Sequence, residues 1–220
     1  MTNTTTKILL VDDHKIVREG LKALLERETH FEVVAEATNG EEAIRLAEQY
    51  QPDIIIMDIS MPNLNGIEAT RQIASAAPEI KIIVLSIYFD KHLVAKMLRA
   101  GAMGYLRKDC ASEELVRAIT IVRSNKFYIS PSLGVTAGRD IMNGSDIPHF
   151  IAFEVLTTKE REVLQLVAEG KPTKEIARRL HVSVKTIDNH RQKIMTKLDI
   201  HSIAKLTKFA IREGITSIES

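Results

Sequence analysis

The sequence predicts a doubly wound α/β sandwich built on a five-stranded parallel sheet, joined to a smaller all-α domain. Three observations carry this reading. Five short apolar runs between Lys7 and about Asn125 alternate with amphipathic stretches of helical period. A segment at 130–153, with Pro, Gly, Ser and Asn, then loses sustained periodicity, and four helical patterns without a strand follow it. Charge divides at the same place: residues 1–153 hold 17 Lys+Arg against 20 Asp+Glu, whereas 154–220 hold 13 against 9. Opposite signs in two halves point to two domains with different partners, the basic one suited to a polyanion.

The runs "KILLVDD", "FEVVAEA", "PDIIIMD", "KIIVLSI" and "GYLRK" are β-branched or aromatic and mostly continuous in hydrophobicity. Strands buried on both faces read this way. The first intervening helix, "HKIVREGLKALLERE", places Ile16, Leu21, Leu24 and Leu25 on one face. "EEAIRLAEQY", "GIEATRQIASAA", "HLVAKMLRAG" and "SEELVRAITIVRSN" follow in turn. Such units in succession require right-handed crossovers, which put helices on both faces of the sheet. After the linker, Thr157-x-x-Glu160 is a capping box and Gly170 ends the helix it opens. Thr173 caps "KEIARRL", which stops near His181-Val182, and Ser183 caps a helix running to about Leu198. The last helix, "SIAKLTKFAIREGI", shows Ile203, Leu206, Phe209 and Ala210 as its apolar face. The domain limits read as 1–128, a linker at 129–152 that includes a short helical piece, and 153–220.

Composition excludes several classes. Hydrophobic content of 45% with 27% charged residues is ordinary for a globular chain. No apolar run approaches the ~18 residues of a membrane span. "MTNTTTKILLVDD" lacks the basic start and apolar core of a signal peptide. The single cysteine, Cys110, excludes an internal disulfide framework and suits a reducing, cytoplasmic setting. Cys110 itself reads as structural or incidental.

The stretch "PDIIIMDISMPNLNG" ends an apolar strand on Asp58. In open α/β sheets, ligands bind beyond the carboxyl ends of the strands, where the strand order reverses. For the flavodoxin-like order 2-1-3-4-5, a standard case of that rule, the reversal lies between strands one and three. Strand one ends in Asp12-Asp13 and strand three in Asp58, so three carboxylates meet in one crevice. Their repulsion in a partly desolvated cleft costs on the order of several kcal/mol unless a cation or proton intervenes. A hard divalent ion with oxygen ligands, Mg2+ above all, answers that need. Ser86 closes the fourth strand and Lys108 the fifth. A hydroxyl and an ammonium beside acids and Mg2+ suit phosphoryl oxygens, and Asp58 can act as a nucleophile that forms an acyl phosphate. Singly, each residue has a plainer role, the Asp pair as a helix cap and Lys108 as a solvated strand end. Five complementary side chains at the ends of four strands favour a built site.

"LLVDDH", "DIIIMDISMPNLNG", "VLS" and "GAMGYLRKD" resemble the receiver domain of two-component response regulators, over residues 7 to about 125. The resemblance implies that Asp58 accepts a phosphoryl group from a sensor histidine kinase. It implies that Asp13, Asp58 and the backbone carbonyl of Ser60 ligate Mg2+, with Asp12 acting largely through bound water. Lys108 would pair with the phosphoryl group, Ser86 would move to donate a hydrogen bond to it, and Tyr105 would be the switch aromatic that turns inward afterwards. Ser60 and Tyr88 would tune dephosphorylation. Many receivers have Pro after the lysine, whereas Asp109 follows here, leaving the geometry of that peptide bond open. Pro62 and Gly66 shape the loop after Asp58, and Gly66 is expected to adopt a conformation costly to a residue with a Cβ. A left-handed glycine without functional role accounts for it equally.

Between Lys171 and Arg212 the chain holds 11 basic residues against 3 acidic ones. A short helix, a tight turn and a longer helix there form a helix-turn-helix unit, whose second helix lies in the DNA major groove. On that second helix Ile187, Ile194 and Leu198, with Met195 nearby, face inward. Lys185, Asp188, Asn189 and Gln192 fall on one outward polar stripe. Residues 153–215 resemble the LuxR-type domain of NarL/FixJ response regulators in "LTTKEREVLQLVAEGKPTKEIARRL" and "VSVKTIDNHRQKIMTKL". The resemblance implies base-edge contacts from Asp188, Asn189 and Gln192. It implies phosphate contacts from Lys185, Thr186, His190 and Lys193, with Lys174 as a further one. Many relatives carry a base at the Asp188 position, so Asp188 is read either as a base contact or as a holder of a neighbouring Lys or Arg.

The expectation is a phosphorylation-switched transcription regulator that binds double-stranded DNA, forms a homodimer when phosphorylated or DNA-bound, and is not an enzyme. Phosphorylation would release a DNA-binding domain masked by the receiver, favour dimers, or both. A Mg2+ phosphatase with an aspartyl nucleophile is the main rival, but it needs an Asp two residues after the nucleophile, where Ser60 stands. A phosphorylation-independent DNA-binding protein is a second rival, and the full Asp12/Asp13/Asp58/Ser86/Lys108 set counts against it.

Overall fold

The computed structural model describes residues 5–87, 91–110, 112–131 and 155–216. Strands β1 (Thr6–Val11), β2 (Phe31–Ala37), β3 (Ile54–Asp58), β4 (Lys81–Ser86), β5 (Gly104–Arg107) and β6 (Tyr128–Ile129) form one sheet in the order β2-β1-β3-β4-β5-β6. All of its pairings are parallel. Helices α1 (Lys15–Leu25), α2 (Gly40–Tyr50), α3 (Gly66–Ala76), α4 (Lys91–Ala100) and α5 (Ser112–Arg123) connect the strands.

The sheet has six strands rather than the expected five. Gly104 pairs with Tyr128 and Tyr105 with Ile129. Glu114 of α5 holds the new edge by accepting from Ser130 Oγ at 2.6 Å and Tyr128 Oη at 3.3 Å. Two residues are too few to show a period, which is why the pattern passed over them.

Alternate side chains of each strand enter opposite cores. Ile8, Leu10, Ile54 and Ile56 pack with Leu25 of α1 and Leu115, Ile119 and Val122 of α5. Leu9, Val11, Ile55 and Met57 pack with Leu46 of α2 and Ile73 of α3. Burial on both faces is the physical cause of the unbroken "DIIIMD". Ile16 departs from the expected α1 face: it is 77% exposed, and Leu21, Leu24 and Leu25 make the contact instead. Cys110 is partly buried against the α1–α5 core, and burial pushes its thiol up to about 11. An inert structural role fits that environment.

The second domain comprises α6 (Thr158–Ala168), α7 (Thr173–Arg179), α8 (Val184–Leu198) and α9 (Ile203–Arg212). Its core joins Leu156, Val163, Leu164, Ile176, Ile187, Ile194, Leu206 and Phe209. The capping box at Thr157 and Glu160 is formed, and Gly170 takes a left-handed φ of 75° after α6. Ser183 caps α8 by accepting from Thr186 N at 3.1 Å. Thr173 is the first residue of α7 and not its cap; Pro172 precedes it, and Thr173 Oγ1 accepts from Arg191 at 3.2 Å. Ile203, expected on the buried face of α9, is exposed. The linker reading, apart from residues 129–131, and Tyr88 fall outside the described residues.

Candidate functional sites

Parallel pairing of β1 with β3 sets Val11 opposite Met57, so Asp12 and Asp58 leave the sheet side by side at its carboxyl end. Both are buried, at 2% and 5% exposure, while Asp13 is more open. Donor atoms of Asp12, Asp13, His14 and Asp58 lie within 4.8 Å of one another, close enough for one metal ion. Lys108 reaches in from the end of β5, its Nζ 2.7 Å from Asp12 Oδ2 and 2.9 Å from Asp58 Oδ2. The backbone N–H of Ile59 donates to Asp58 Oδ1 at 2.8 Å, and Arg18 donates to the Asp12 carbonyl at 2.8 Å. His14 Nδ1 sits 2.7 Å from Asp13 Oδ1.

Burial raises the Asp58 carboxyl from its ordinary 3.8 to about 6, with Lys108 pulling it down and Asp12 pushing it up. Burial also works against the Lys108 ammonium, but Asp58 and Asp12 outweigh it and the lysine pKa rises. A carboxylate held that high still lacks enough positive charge around it. The cluster therefore fits a hard cation: its carboxylates are oxygen donors and its electrostatics favour added charge.

Ser86 is buried at the end of β4, one step beyond Leu85, the register partner of Asp58. Tyr105 lies fully inside the molecule among Ile59, Ile67, Val84, Leu93, Val94 and Met97. Ser60 is half-buried just past Asp58. The Lys108–Asp109 bond is trans, and Asp109 pairs with Arg107 at 2.6 Å. Gly66 is required for a reason other than the expected one. Its φ is not left-handed, but a Cβ there would fall 1.9 Å from the Asp58 carbonyl oxygen. The Gly66 N–H also donates to Ile59 O at 2.8 Å, folding the loop tightly back on the strand end.

On α8, Lys185, Asp188, Asn189, Gln192 and Lys193 are exposed, Thr186 and His190 half-buried, and Ile187 and Ile194 buried. Lys174 is exposed on α7. Asp188 Oδ1 lies 3.8 Å from Arg191, which in turn donates to Thr173, so the acid stands in a neighbouring arginine's field. The buried Nδ1 of His190 has no hydrogen-bond partner among the described residues. Among the described residues, this polar face of α8 is open to solvent.

Sequence reasoning missed the polar contacts between the domains. Gln165 of α6, fully buried, donates to Met61 O at 3.0 Å and to Glu169 at 2.8 Å. Its Oε1 accepts from both the backbone N–H and the side chain of Asn65, each at 2.9 Å. Glu169 accepts from Asn63 N at 3.1 Å. Buried Arg161 meets Glu68 at 2.6 Å, Lys96 of α4 pairs with Glu213 beyond α9, and Arg179 reaches Glu41 at 2.6 Å. A polar side chain on an amphipathic helix gives no sign of which surface it will meet. The one available signal was Gln165 within the apolar run "VLQLVA".

The described helices include none long and apolar enough to cross a membrane. Residues 8–120 match the family of response regulator receiver domains, and residues 154–210 match the LuxR family of bacterial regulatory proteins. The chain is 36% identical to the response regulator UvrY of Escherichia coli over 97% of both chains. It is 38% identical to the oxygen regulatory protein NreC of Staphylococcus aureus, covering 95% of this chain and 98% of that one. Among solved structures it resembles RcsB of Salmonella enterica serovar Typhimurium bound to promoter rprA with the phosphomimetic BeF3−. That match has 26% identity and a TM-score of 0.60, over 94% of this chain and 98% of that one. A receiver sheet with clustered acids at its carboxyl end, followed by a LuxR-type helical domain, makes this chain a member of the NarL/FixJ family of two-component response regulators, DNA-binding transcription regulators rather than enzymes.

Proposed function

We propose that Asp58 is the phosphoacceptor of this regulator, charged by a sensor histidine kinase, and that the resulting aspartyl phosphate switches binding of duplex DNA by α8. The observation that carries it is Lys108 Nζ standing between Asp12 and Asp58, with four ligand-bearing side chains converging within 4.8 Å. Asp12, Asp13 and Asp58, with the carbonyl of Ser60, would hold Mg2+, which when bound neutralises charge on the phosphoryl oxygens. An Asp58 oxygen forms the new bond to phosphorus as the donor's bond to phosphorus breaks. Lys108 is then drawn from Asp12 toward the phosphoryl oxygens, a charge-assisted contact. Ser86, at the neighbouring strand end, donates to them, whereas Tyr105, expected to turn inward only at that step, already lies buried without a phosphoryl group.

On the DNA side Asn189 and Gln192 present amides suited to adenine, while Lys185, Thr186, His190, Lys193 and Lys174 meet phosphates. Asp188 is read as holding Arg191, with which it already shares a field. The functional units are residues 1–128, a linker at 129–152, and 153–220, acting in the cytoplasm and as a homodimer on DNA. The test is acid-labile labelling of the full chain by radiolabelled acetyl phosphate with Mg2+. Label is expected on the wild type and absent from Asp58→Asn; undiminished label on the variant would refute the assignment.

A further inference from the structure

Two of the three acids at the carboxyl end of the sheet are fixed by partners of their side chains. Asp58 Oδ1 accepts from Ile59 N–H at 2.8 Å, and its Oδ2 lies 2.9 Å from Lys108. Asp12 Oδ1 accepts from His14 N–H at 2.9 Å, and its Oδ2 lies 2.7 Å from Lys108. Asp13 is different: it is exposed, and its close contact is the exposed ring of His14. A carboxylate held so loosely is placed chiefly by its backbone. The Asp12 carbonyl belongs to the rigid peptide plane that leads into Asp13. Arg18 Nη1 donates to that carbonyl at 2.8 Å. Helix α1 gives the turn no other brace, since its N-cap His14 makes no side-chain capping bond and its first turn holds no acid. The Arg18 side chain, 11% exposed, is anchored at its other end by Glu36 of β2, 3.3 Å from Nε. Lys22 holds the second Glu36 oxygen at 3.2 Å. The guanidinium thus spans from the neighbouring strand to the acid-bearing turn.

We propose that Arg18 is a positioning residue for the divalent cation: braced on Glu36, it fixes the Asp12–Asp13 peptide so that Asp13 presents its carboxylate to the ion. This role rests on the reading of Asp12, Asp13 and Asp58 as the Mg2+ ligands. A planar fork is needed, because its two ends are engaged by groups on different strands and a lysine ammonium can serve only one of them. Arg18 acts on the cation in two opposed ways. Its positive charge beside the acids repels a cation, whereas its hydrogen bond orders a ligand. Glu36 pairs with the guanidinium and offsets much of that repulsion. Hydrogen bonds that orient metal ligands, by contrast, are typically worth about ten-fold or more in affinity. Ordering therefore wins, and loss of this cation should weaken the binding of another.

The experiment is a calorimetric titration of the full chain with Mg2+, comparing wild type, Arg18→Met, Arg18→Lys and the charge-neutral pair Arg18→Met with Glu36→Met. Arg18→Met should bind Mg2+ about ten-fold more weakly or worse, and the double variant should match it. Arg18→Lys, which keeps the charge but not the fork, should fall between Arg18→Met and wild type. If charge alone mattered, Arg18→Met would bind more tightly and the other two would be unchanged. Either of those outcomes overturns the positioning role, and Arg18→Lys decides the matter should Arg18→Met fail to fold. A second readout separates positioning from general damage. Labelling by acetyl phosphate should need more Mg2+ in Arg18→Met yet reach the wild-type rate once Mg2+ saturates, because the bound ion then orders Asp13 itself. A rate that stays low at saturating Mg2+ would mark a structural fault and overturn the role as well. Wild type that binds no Mg2+ would overturn the metal site along with it. Wild type that binds Mg2+ but takes no label would overturn the acceptor reading alone.

Discussion

Asp58 carries its proton far more readily than a solvated aspartate, with a pKa raised from 3.8 to about 6 by burial. For a raised carboxyl, the folded state binds the proton more tightly than the unfolded chain. The resulting stabilisation is complete below pH 3.8 and is lost as pH rises through 6. A shift of this size corresponds to about 3 kcal/mol in the metal-free protein. The difference in unfolding free energy between wild type and Asp58→Asn, followed by urea titration without Mg2+, should therefore fall between pH 4 and pH 7 by that order. Mg2+ affinity should change in the opposite sense, weakening below pH 6 because proton and cation compete for one carboxylate. A Mg2+ affinity flat across that range would place the cation elsewhere. Gly66 makes a second prediction at this scale. A methyl group 1.9 Å from the Asp58 carbonyl must push the loop off the strand end, so Gly66→Ala should destabilise by about 2 kcal/mol or more and depress charging of Asp58.

At the scale of elements, α8 is a helix with two separable faces. Gln192 lies on the open face, so Gln192→Ala should alter sequence preference in a bound-DNA selection while leaving the salt dependence of affinity unchanged. Lys193→Ala, which removes a proposed phosphate contact, should do the reverse and lower the salt slope by about one. A uniform loss across sequences for Gln192→Ala would mark it as structural. Most elements were legible because one physical pattern specified each. Continuous β-branched runs marked β1, β3 and β4, buried on both sides of the sheet. The box at Thr157 and Glu160 and the cap at Ser183 marked where α6 and α8 begin. The failures have equally definite causes. β6 has too few residues for any period, Ile16 has the right spacing but faces water, and Thr173 yields the cap position to Pro172.

At the scale of the molecule, the acid site was legible because topology dictates where strand ends converge, and Asp12, Asp13, Asp58 and Lys108 needed only to be placed on their strands. His14 and Arg18, which complete that site, were missed because each follows the strand end on a helix turn that periodicity does not orient. The boundary between domains was illegible for a deeper reason. Gln165–Asn65 and Arg161–Glu68 join positions far apart in the chain, and no local pattern encodes a pairing of that kind. The charge division did survive folding. The acidic crevice belongs to the receiver, whereas Lys185, Lys193 and Lys174 line the open side of the basic domain. Duplex affinity of the full chain should accordingly drop steeply with added salt, as phosphate neutralisation requires.

The uncovered face of α8 has one further consequence. If α8 reads DNA as proposed, a reading face exposed among the described residues is never wholly silent, so uncharged protein should retain a measurable leak of promoter occupancy. The dynamic range of such a regulator would then be set by how far charging improves the grip of that face, rather than by whether the groove can be reached at all.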